Sequence, residues 1–541
     1  MALTKVTNRM IEGASFNVLD FGAVGDGSTD DAAAINAAFA ACETAGYGTV
    51  FFPARTYKIK SLIGSSGSTN LSDIAVLGEP GTEIDADPDV GSNYVFYLQW
   101  DNLRSIRMEN FLINGNDKCA RGVHIRSGAG FDMEFVLVQK VDMFSIKIVN
   151  DASITENAVG IFIDSDEGYR ARVTQCRVNG VTRDKTATCA GITITDFRNM
   201  VVEDCHIKNI RHDGTTKLDA DGIKIFSERT TGSFFKTNAR VANNTLIDCE
   251  GRFIKLQTGG VAIVQGNTMK IDGALDLIVN FVGIDSQAGE ATAIDNKMYF
   301  GTSFTENGST ACFQLQSPDS TAPDYNYQSF VNRFENNHVD VRKSIPYVFI
   351  VTPPDDNESV MQYQIIRNNT VNTDDDTQST NQSNNRPDYF IYANGASFPS
   401  VANFDATMHW IVEGNVVYTF EFLVVSSGSS DYADKWFLEI HNNTKYPHGY
   451  SRSLLGAGSH YTSSVSISGN KVGSDNGSVE WNLNWQKLLP GCSFYFGNGT
   501  STNGPGADTF REWAYDGRVY KLWSNDRIAL SYDASTWNTL T

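Results

Sequence analysis

A short pattern of apolar and polar positions recurs between residues 122 and 257. Each copy has a glycine, an apolar residue, a variable residue and a second apolar residue. The copies are Gly122-Val123-His124-Ile125, Gly160-Ile161-Phe162-Ile163, Gly191-Ile192-Thr193-Ile194, Gly222-Ile223-Lys224-Ile225, and Phe253-Ile254-Lys255-Leu256, which follows Gly251 with one extra residue. Because alternate side chains of a strand face opposite sides, the apolar pair is predicted to enter a core and the residue between them to point outward. The variable residues from Phe162 onward recur every 31 positions, which predicts a solenoid.

A second ladder runs through the chain at an offset from the first. An apolar residue is followed by polar or small residues and then by asparagine; these asparagines are Asn244, Asn267, Asn296, Asn337, Asn369, Asn415, Asn443 and Asn470, and Cys176 and Cys205 hold the same place upstream. Asparagine tolerates the left-handed backbone of a tight corner, and amides stacked from coil to coil can hydrogen-bond to one another. The two ladders in phase predict an all-β parallel solenoid over residues 61–478.

The two ends of the chain differ from the repeats. Residues 17–60 read as a strand, a polar turn, an amphipathic helix from Asp31 to Ala45 and a return to strands, so the helix is predicted to cover the exposed first coil. Past Asn470 the ladder stops. Residues 479–541 contain Trp481, Trp485, Trp513, Trp523 and Trp537, which predicts a small C-terminal β module that caps the solenoid or locks an oligomer.

Composition excludes several classes of function. The net charge of −20 has the wrong sign for a protein that follows a phosphate backbone, so no nucleic-acid partner is expected. The eight cysteines form no CxxC pair and read as buried structural thiols. No His or Cys cluster has metal-ligand spacing, so neither a metal nor a cofactor is expected. The N-terminus shows no signal peptide, and no apolar run is long enough to enter a membrane.

Candidate catalytic residues lie where long loops interrupt the repeat. The loops at residues 210–220 and 227–236 flank the strand that begins at Asp221. Asp221 directly precedes Gly222 and Glu250 directly precedes Gly251, so equivalent places on adjacent coils would hold these carboxylates roughly 5 Å apart. Such a pair would raise one pKa enough for general acid catalysis. Asp219 is a third candidate, as the base for water.

Other side chains near this strand are candidate substrate contacts. Lys224 and Lys255 share the outward column and could hold sugar hydroxyl or carboxylate groups, with Gln257 on the same face as a further donor. The loops add His212, Asp213 and Glu228. Simpler roles stay open, because an aspartate before glycine is often only a turn residue, and a lysine beside an acid often only a cross-strand ion pair.

The N-terminal residues resemble a known family. Val18-Leu19-Asp20-Phe21-Gly22-Ala23, Asp26-Gly27-Ser28-Thr29-Asp30-Asp31, the alanine-rich helix and Val50-Phe51-Phe52-Pro53 look like the start of pectin-lyase-like right-handed parallel β-helices, most of all bacteriophage tailspikes with capsule depolymerase activity. The resemblance implies a homotrimer that cleaves a bacterial capsular polysaccharide with side chains outside the helix. It also implies a place in the virion tail, acting outside the host cell beside other tail or baseplate proteins, with residues 1–16 similar to a linker to a virion-binding part.

A second resemblance concerns the candidate site. Asp219-Ala220-Asp221-Gly222-Ile223 resembles the Asn-Thr-Asp-Gly-Ile motif of polygalacturonases, and Arg252-Phe253-Ile254-Lys255 resembles their Arg-Ile-Lys motif with one residue inserted. The Gly-His-Gly motif and the adjacent Asp-Asp pair of that family are missing, so only Asp221 and Lys255 carry over. Three functions stay open: an endo-glycoside hydrolase, a polysaccharide lyase of the same fold, and a non-catalytic polysaccharide-binding spike.

Overall fold

Short strands with alternating buried and exposed side chains make up nearly the whole described chain. The computed structural model describes residues 15–539 with gaps at 66–70, 88–93, 129–132, 149–156, 184–186, 214–218, 228–236, 259, 279–280, 287–289, 306–309, 317–328, 344, 353–360, 374–386, 394–406, 420, 426–435, 447–463, 473–478, 486–510, 516–517, 523–527 and 532–537. The predicted linker therefore lies almost entirely outside the described residues. The chain divides into two units, residues 1–291 with 296–308, and residues 292–295 with 309–541.

The elements up to residue 300 are as follows. They are β1 Ser15–Asn17, a 3-10 helix Val18–Phe21, β2 Asp26–Asp30, α1 Ala32–Ala45, β3 Tyr47–Phe52, β4 Thr56–Ile59, β5 Ile63–Ser65, β6 Asp73–Gly78, β7 Glu83–Ala86, β8 Tyr94–Trp100, β9 Ser105–Asn114, β10 Arg121–Ser127, β11 Phe135–Ile148, β12 Ala158–Thr174, β13 Arg177–Arg183, β14 Cys189–Glu203, β15 His206–His212, β16 Ala220–Phe226, β17 Asn238–Ala242, β18 Thr245–Cys249, β19 Arg252–Gln257, β20 Val261–Gln265, β21 Thr268–Ile271, β22 Val282–Ser286, β23 Glu290–Ile294 and β24 Lys297–Phe300.

The later elements are all strands. They are β25 Ala311–Gln316, β26 Ser329–Glu335, β27 His338–Val341, β28 Ile345–Thr352, β29 Met361–Arg367, β30 Thr370–Thr373, β31 Pro387–Ala393, β32 Thr407–Glu413, β33 Val416–Tyr418, β34 Glu421–Val425, β35 Trp436–His441, β36 Thr444–Tyr446, β37 Ser464–Val472, β38 Val479–Trp485, β39 Arg511–Tyr515, β40 Arg518–Leu522, β41 Ile528–Ser531 and β42 Asn538–Thr539.

Three parallel sheets wrap the core of the first unit. Sheet A runs through β5, β8, β10, β12, β14, β16, β19 and β22. Sheet B runs through β1, β3, β6, β9, β11, β12, β14, β17 and β20. Sheet C runs through β2, β4, β7, β9, β11, β13, β15, β18, β21 and β24. Each coil thus gives one strand to each sheet, and β9, β11, β12 and β14 continue through a corner into two of them.

The glycine of the repeat marks a close approach of adjacent coils. A Cβ added at Gly191 would lie 2.6 Å from the backbone oxygen of Gly222, and one added at Gly160 would lie 2.6 Å from that of Gly191. Real Cβ atoms cannot approach an oxygen so closely, so the repeat requires glycine at this column. The apolar residues that follow, such as Ile192 and Ile223, are fully buried. The inward assignment of the apolar pair is confirmed, but the variable residues His124, Thr193 and Lys255 are themselves buried.

The asparagine ladder is also confirmed. One residue of the corner adopts the left-handed backbone, and the residue after it forms the amide hydrogen bonds. In the first unit, Asn243 takes the left-handed backbone, at a φ of 56°, and the buried Asn244 that follows supplies the stacked amide. The Nδ2 of Asn244 donates to the Oδ1 of Asn267 at 3.0 Å. The Nδ2 of Asn267 in turn donates to the Oδ1 of Asn296, also at 3.0 Å. The same oxygens accept from the backbone N–H of the preceding asparagine, so each amide closes its corner and joins the next coil.

The predicted N-terminal helix is present as α1. Its Ile35, Phe39 and Cys42 are buried, and the helix packs against β1, β3 and β5. Phe39 lies beside Trp100, whose indole Nε1 donates to the Glu43 carboxylate at 2.6 Å. The helix therefore covers apolar surface of the first coils, as an amphipathic element must in order to remove that surface from water.

The second unit repeats the three-sheet coil. Its parallel ladders are β25, β28, β31 and β34; then β26, β29, β32, β35 and β37; and β27, β30, β33, β36 and β37. A second asparagine column joins Asn337, Asn369, Asn415, Asn443 and Asn470. The pairing turns antiparallel at β38, and β39 to β42 form a separate four-stranded antiparallel sheet.

The fold class predicted from the sequence, an all-β right-handed parallel β-helix with an N-terminal helix, is therefore confirmed. The domain boundaries at residues 16, 60 and 478 stay predictions. Within the described ranges, no helix is long and apolar enough to span a membrane. No group of three or more metal-ligating side chains occurs among those same residues.

Candidate active site

Three neighbouring strands of sheet A carry a concentration of ionisable side chains. Across β16, β19 and β22, Lys224 lies opposite Lys255, and Lys255 lies opposite Asp285. Asp221 lies opposite Arg252. Because parallel strands are spaced by about 4.8 Å, equivalent side chains come within contact distance. We call this group, with the adjacent Asp219, the charged cluster; its members are Asp219, Asp221, Lys224, Arg252, Lys255 and Asp285.

Arg252 lies at the centre of the charged cluster. Its Nη1 donates to Asp219 Oδ1 at 2.7 Å and lies 3.5 Å from Asp221 Oδ1, while its Nε donates to Asp285 Oδ2 at 2.8 Å. A planar guanidinium offers donors in a fixed fork, so one residue can orient several carboxylates at once. Arg252 therefore connects three acids, two from the segment that starts β16 and one from β22.

The two aspartates of the Asp219-Ala220-Asp221 segment have opposite electrostatic environments. Asp221 has 1 % of its surface exposed, and burial raises its pKa to about 6, although the charge of Arg252 opposes the rise. Asp219 has 27 % of its side chain exposed; burial pushes its pKa upward, but Arg252 and Lys255 outweigh burial and hold the pKa at about 2. At neutral pH Asp219 is a carboxylate, and Asp221 can still carry a proton.

The separation of these two acids is restricted by their shared partner. Asp219 Oδ1 and Asp221 Oδ1 lie 2.7 Å and 3.5 Å from the same nitrogen of Arg252. The two oxygens are therefore at most roughly 6 Å apart, which is closer to the spacing of a retaining glycosidase pair than to that of an inverting pair. Asp221 Oδ2 is buried and has no hydrogen-bond partner among the described residues.

The two lysines of the charged cluster differ in their partners. Lys255 Nζ donates to Asp219 Oδ2 at 2.8 Å. Lys224 Nζ lies 5.5 Å from the centre of the Phe226 ring, a cation–π contact. Burial lowers the pKa of Lys224, and the neighbouring charge of Lys255 lowers it further. Lys224 is thus the cation of the cluster that gives up its proton most readily.

Asp285 completes the cluster from the next coil. It is fully buried, and burial raises its pKa against the charges of Arg252 and Lys255. One carboxyl oxygen accepts the Arg252 Nε–H, and the other, Oδ1, has no hydrogen-bond partner in the described part of the chain. Asp285 therefore holds the guanidinium through Nε, a different nitrogen from the Nη1 that contacts Asp219.

The structure brings together four of the residues selected from the sequence, Asp219, Asp221, Lys224 and Lys255. The expected equivalence of Asp221 and Glu250 is wrong. The register pairs Asp221 with Arg252, two positions after Glu250, because Arg252 and Phe253 separate Gly251 from the first isoleucine of this copy.

Glu250 instead precedes β19 and has a structural contact. Its Oε2 accepts the backbone N–H of His212 at 2.8 Å, and its own N–H donates to the Ile210 carbonyl at 3.0 Å. Glu250 is buried, and these bonds attach it to the end of β15 in sheet C. Its catalytic role stays a prediction.

His212 was expected in a loop wall, but it is the last residue of β15 and is 0 % exposed. Its Nε2 lies 3.1 Å from the carbonyl oxygen of Ala187, which fixes it as the donor of that hydrogen bond. A side chain so enclosed cannot touch a substrate in this conformation. The position of His212 at the end of a strand differs from the expected loop, and its role as a substrate contact stays a prediction.

The remaining predicted contacts are distributed as follows. Asp213 is more exposed, and its Oδ2 lies 3.6 Å from Lys147 Nζ. Gln257 ends β19, half-buried and opposite Phe226. Glu228 lies outside the described residues. Asp213 and Gln257 stay predictions as substrate contacts.

Two members of the cluster were not selected from the sequence as site residues. Arg252 was noted only as part of a motif, and Asp285 was not noted. Both could have been found by extending the repeat, since Asp285 stands thirty positions after Lys255 at the same outward place. The coil that carries it reads Gly283-Ile284-Asp285-Ser286, so the glycine keeps its place and serine replaces the second apolar residue of the pattern.

Comparison with known proteins agrees with this fold. Residues 15–270 match the family model described as rhamnogalacturonase A/epimerase, pectate lyase-like. Mannuronan C5-epimerase AlgE3 of Azotobacter vinelandii is 59% identical over 44 residues, 8% of this chain and 2% of that protein. The uncharacterized protein YclG of Bacillus subtilis (strain 168) is 23% identical over 267 residues, 46% of this chain and 45% of that protein. The chain thus matches less than half the length of these relatives.

A tailspike protein variant of E. coli bacteriophage HK620, solved in complex with a hexasaccharide, aligns with a TM-score of 0.44 and 12% identity over 85% of this chain and 80% of that one. The chain carries a pectate lyase-like parallel β-helix across residues 15–270. The resemblance of the N-terminal motif to pectin-lyase-like β-helices is confirmed by this match.

Proposed function

We propose that the chain is a polysaccharide-cleaving enzyme, an endo-glycoside hydrolase, with the charged cluster as its active site. The observation that carries this proposal is the pair Asp219 and Asp221, two neighbouring acids with pKa values of about 2 and about 6. Paired carboxyl groups whose environments separate their pKa values are the usual means of assigning acid and base roles in glycoside hydrolysis.

The roles follow from protonation and exposure. Asp221 is the proton donor to the glycosidic oxygen, since its raised pKa of about 6 leaves a larger protonated fraction near neutral pH than an ordinary aspartate has. Asp219 is the ionised partner that attacks or stabilises the anomeric carbon, since solvent reaches it and two cations hold it charged. Because Asp221 is buried, substrate must displace the Asp219 side chain from part of its contact with Arg252 and Lys255 before the proton can be transferred.

Arg252 and Asp285 act on the pair rather than on the substrate. Arg252 holds both aspartates, and Asp285 holds Arg252. Glu250, bonded to the backbone of His212, supports the coil in front of β19. We therefore assign Glu250 a positioning role.

We propose further that the substrate is a bacterial capsular polysaccharide and that the chain is the receptor-binding spike of a phage tail, acting as a homotrimer beside other tail or baseplate proteins. The support is the N-terminal motif at residues 17–60, which resembles tailspikes. The acidic net charge and the position of the charged cluster on an outward sheet are consistent with an enzyme that works on long polymers in solution.

A lyase is the second candidate, and one observation favours it. Lys224 has a lowered pKa because of its burial and its neighbour Lys255. A lysine that loses its proton easily could abstract a proton beside a uronate carboxylate, and Arg252 and Lys255 could bind that carboxylate. The product of elimination carries a conjugated double bond and absorbs ultraviolet light, whereas a hydrolysed product does not.

The test combines a substrate panel with isosteric variants. Purified chain is incubated with capsular polysaccharides from a panel of bacterial strains, and reducing ends and ultraviolet absorbance are both followed. For a hydrolase, reducing ends appear without absorbance, and Asp221→Asn and Asp219→Asn each lower the rate by about 10²–10⁴-fold. Asp272→Asn, at an exposed acid on sheet C, is the matched control. Absorbance that depends on Lys224 would identify a lyase, and variants with full activity would remove the charged cluster from the mechanism.

A further inference from the structure

A cleft of about 640 Å³ lies in the first unit, outside the charged cluster. It is lined by Met133, Glu134, Phe135, Glu167, Tyr169, Arg170 and Arg198. These residues come from the start of β11, the middle of β12 and the middle of β14, at the corner where β12 and β14 pass from sheet A to sheet B. The volume is within the range of roughly 300–1,000 Å³ that is typical of small-molecule sites.

The cleft is produced by a local break in the strand register. The pairing of β12 with β14 shifts between Asp164 and Gly168. A Cβ at Gly168 would lie 2.1 Å from the Phe197 ring, so only glycine lets the backbone pass at this point. The backbone N–H of Tyr169 then donates to the Met133 carbonyl at 2.7 Å, which fixes the direction in which the next side chains leave the strand. Bulges of this kind commonly re-aim side chains next to functional sites.

Tyr169 is the most exposed large hydrophobic side chain among the described residues, at 54 %. Its ring stands beside Arg170 and Glu167, for which no ion pair is found in the described part of the chain. An aromatic ring with a hydroxyl group, surrounded by hydrogen-bonding groups, binds ligands that are apolar on one face and polar at the edge. Sugar rings have these properties, with C–H groups on the face and hydroxyl groups around it.

We propose that this cleft is a second carbohydrate-binding site that holds a hydroxyl-rich, uncharged stretch of glycan against the Tyr169 ring. The lining holds two arginines and two glutamates, and Glu134 also pairs with Arg104 at 3.4 Å, so the net charge around the cleft is small and the site attracts neither strongly anionic nor strongly cationic ligands. A neutral glycan satisfies both signs through its hydroxyl groups, which donate to the glutamates and accept from the arginines.

The position of the cleft suits a long polymer. Arg198 lies five residues along β14 from Thr193, which is the register neighbour of Lys224. At about 3.3 Å per residue and 4.8 Å per coil, the cleft and the charged cluster are at most roughly 20 Å apart, so a glycan of several residues can occupy both. Holding the polymer at a second point raises its effective concentration at the first. The binding itself does not require that the charged cluster be catalytic.

The experiment measures binding separately from cleavage. Affinity electrophoresis and calorimetry are performed with neutral capsular polysaccharides and with malto-, laminari-, manno- and xylo-hexaose, using Asp221→Asn chain so that no probe is degraded. We expect Tyr169→Ala in this background to weaken binding by about tenfold, and Tyr169→Phe to retain most of it because the ring face remains. Tyr446→Ala is the matched control at another exposed tyrosine.

Each outcome decides the proposal. The proposal would be overturned if the Asp221→Asn chain and the Asp221→Asn, Tyr169→Ala chain bound the glycans equally well. It would also be overturned if no probe bound the Asp221→Asn chain. A change in sedimentation with unchanged glycan binding would also overturn it, because the cleft would then be a contact between copies of this chain. Loss of binding while the otherwise wild-type Tyr169→Ala chain still cleaves short substrates would support it. If binding is present and cleavage is not, only the proposed catalytic function fails.

Discussion

The replacement of Asp221 by asparagine should stabilise the protein at alkaline pH while it removes activity. In the unfolded chain the pKa of this aspartate is near its ordinary value of 3.8, and in the folded chain it is about 6. Below pH 3.8 both states are protonated and the residue has no pH-linked effect. Between pH 3.8 and about 6 the unfolded state loses this proton while the folded state keeps it, so stability is progressively lost as the pH rises through this range.

The size of this loss follows from the difference between the two pKa values. A difference of that size corresponds to about 3 kcal/mol, fully present above about pH 7. Asparagine has nearly the same shape and does not ionise, so Asp221→Asn should be about 3 kcal/mol more stable than wild type at pH 8 and almost equal to it at pH 4. For a cooperative chain of this length, that corresponds to a melting temperature about 3 °C higher at pH 8.

Asp219→Asn is the matched comparison, because it should have the opposite sign. The folded pKa of Asp219 is about 2, below its ordinary value, so its stabilisation is present above pH 3.8 and is lost as the pH falls toward 2. Asp219→Asn should therefore lower stability at pH 8 by about 2 kcal/mol. Differential scanning calorimetry of the wild type and both variants at pH 4 and pH 8, at equal protein concentration, measures all of these differences.

The reasoning would be refuted if Asp221→Asn melted below wild type at pH 8, or if both variants shifted in the same direction. An upward shift of both variants would mean that Arg252 and Lys255 do not hold Asp219 in its ionised form. A lower melting temperature of Asp221→Asn would mean that Arg252 stabilises the Asp221 carboxylate, so that the pKa of Asp221 is not raised. A general acid could not then be assigned to it, and the roles of the two aspartates would have to be exchanged.

Three further predictions concern the coil and the cluster. Asn369→Ala removes a buried amide that joins adjacent corners, so it should lower the stability of the second unit by about 2–4 kcal/mol in thermal unfolding. Gly191→Ala places a Cβ 2.6 Å from the Gly222 carbonyl oxygen and should lower the melting temperature by forcing two coils apart. Arg252→Gln removes a positive charge beside Asp221, so its pKa should rise and the high-pH limb of the kcat/KM profile should move upward by about one pH unit.

Each of these has its own control. Asn238→Ala, at an exposed asparagine, should melt like the wild type, and equal losses at both asparagines would contradict the role of the buried column. An unchanged melting temperature in Gly191→Ala would show that the coils adjust without strain. A high-pH limb that moves downward in Arg252→Gln would show that Arg252 does not favour the ionised form of Asp221.

The repeat could be predicted from the sequence because its physical requirements are local. Glycine is required at Gly191 and its equivalents because the carbonyl of the next coil leaves no room for a Cβ atom. The stacked asparagines are required by the geometry of a single corner. Each copy therefore repeats the same few residues, which alignment of the chain with itself reveals. The same argument placed Lys224 and Lys255 side by side, since both occupy the variable position of regular copies.

The site was predicted only in part, because it lies where the repeat is irregular. Asp221 is in register with Arg252, two positions after Glu250, and the local sequence does not state which of these two residues would be aligned. The burial of His212 was not visible because the predicted loop that contains it begins inside a strand of another sheet. Asp285 was missed because its copy has Ser286 in place of the second apolar residue.

The corners joined by asparagine have a consequence for how this chain can diversify. Successive amides are bonded across intervals of 23 and 29 residues in the first unit and of 27 to 46 residues in the second, with nearly the same geometry. The number of residues between two corners can therefore change without changing the amide hydrogen bond that joins the corners. A recombination or insertion event can therefore exchange the segments between corners for others while the bonded corners keep their form.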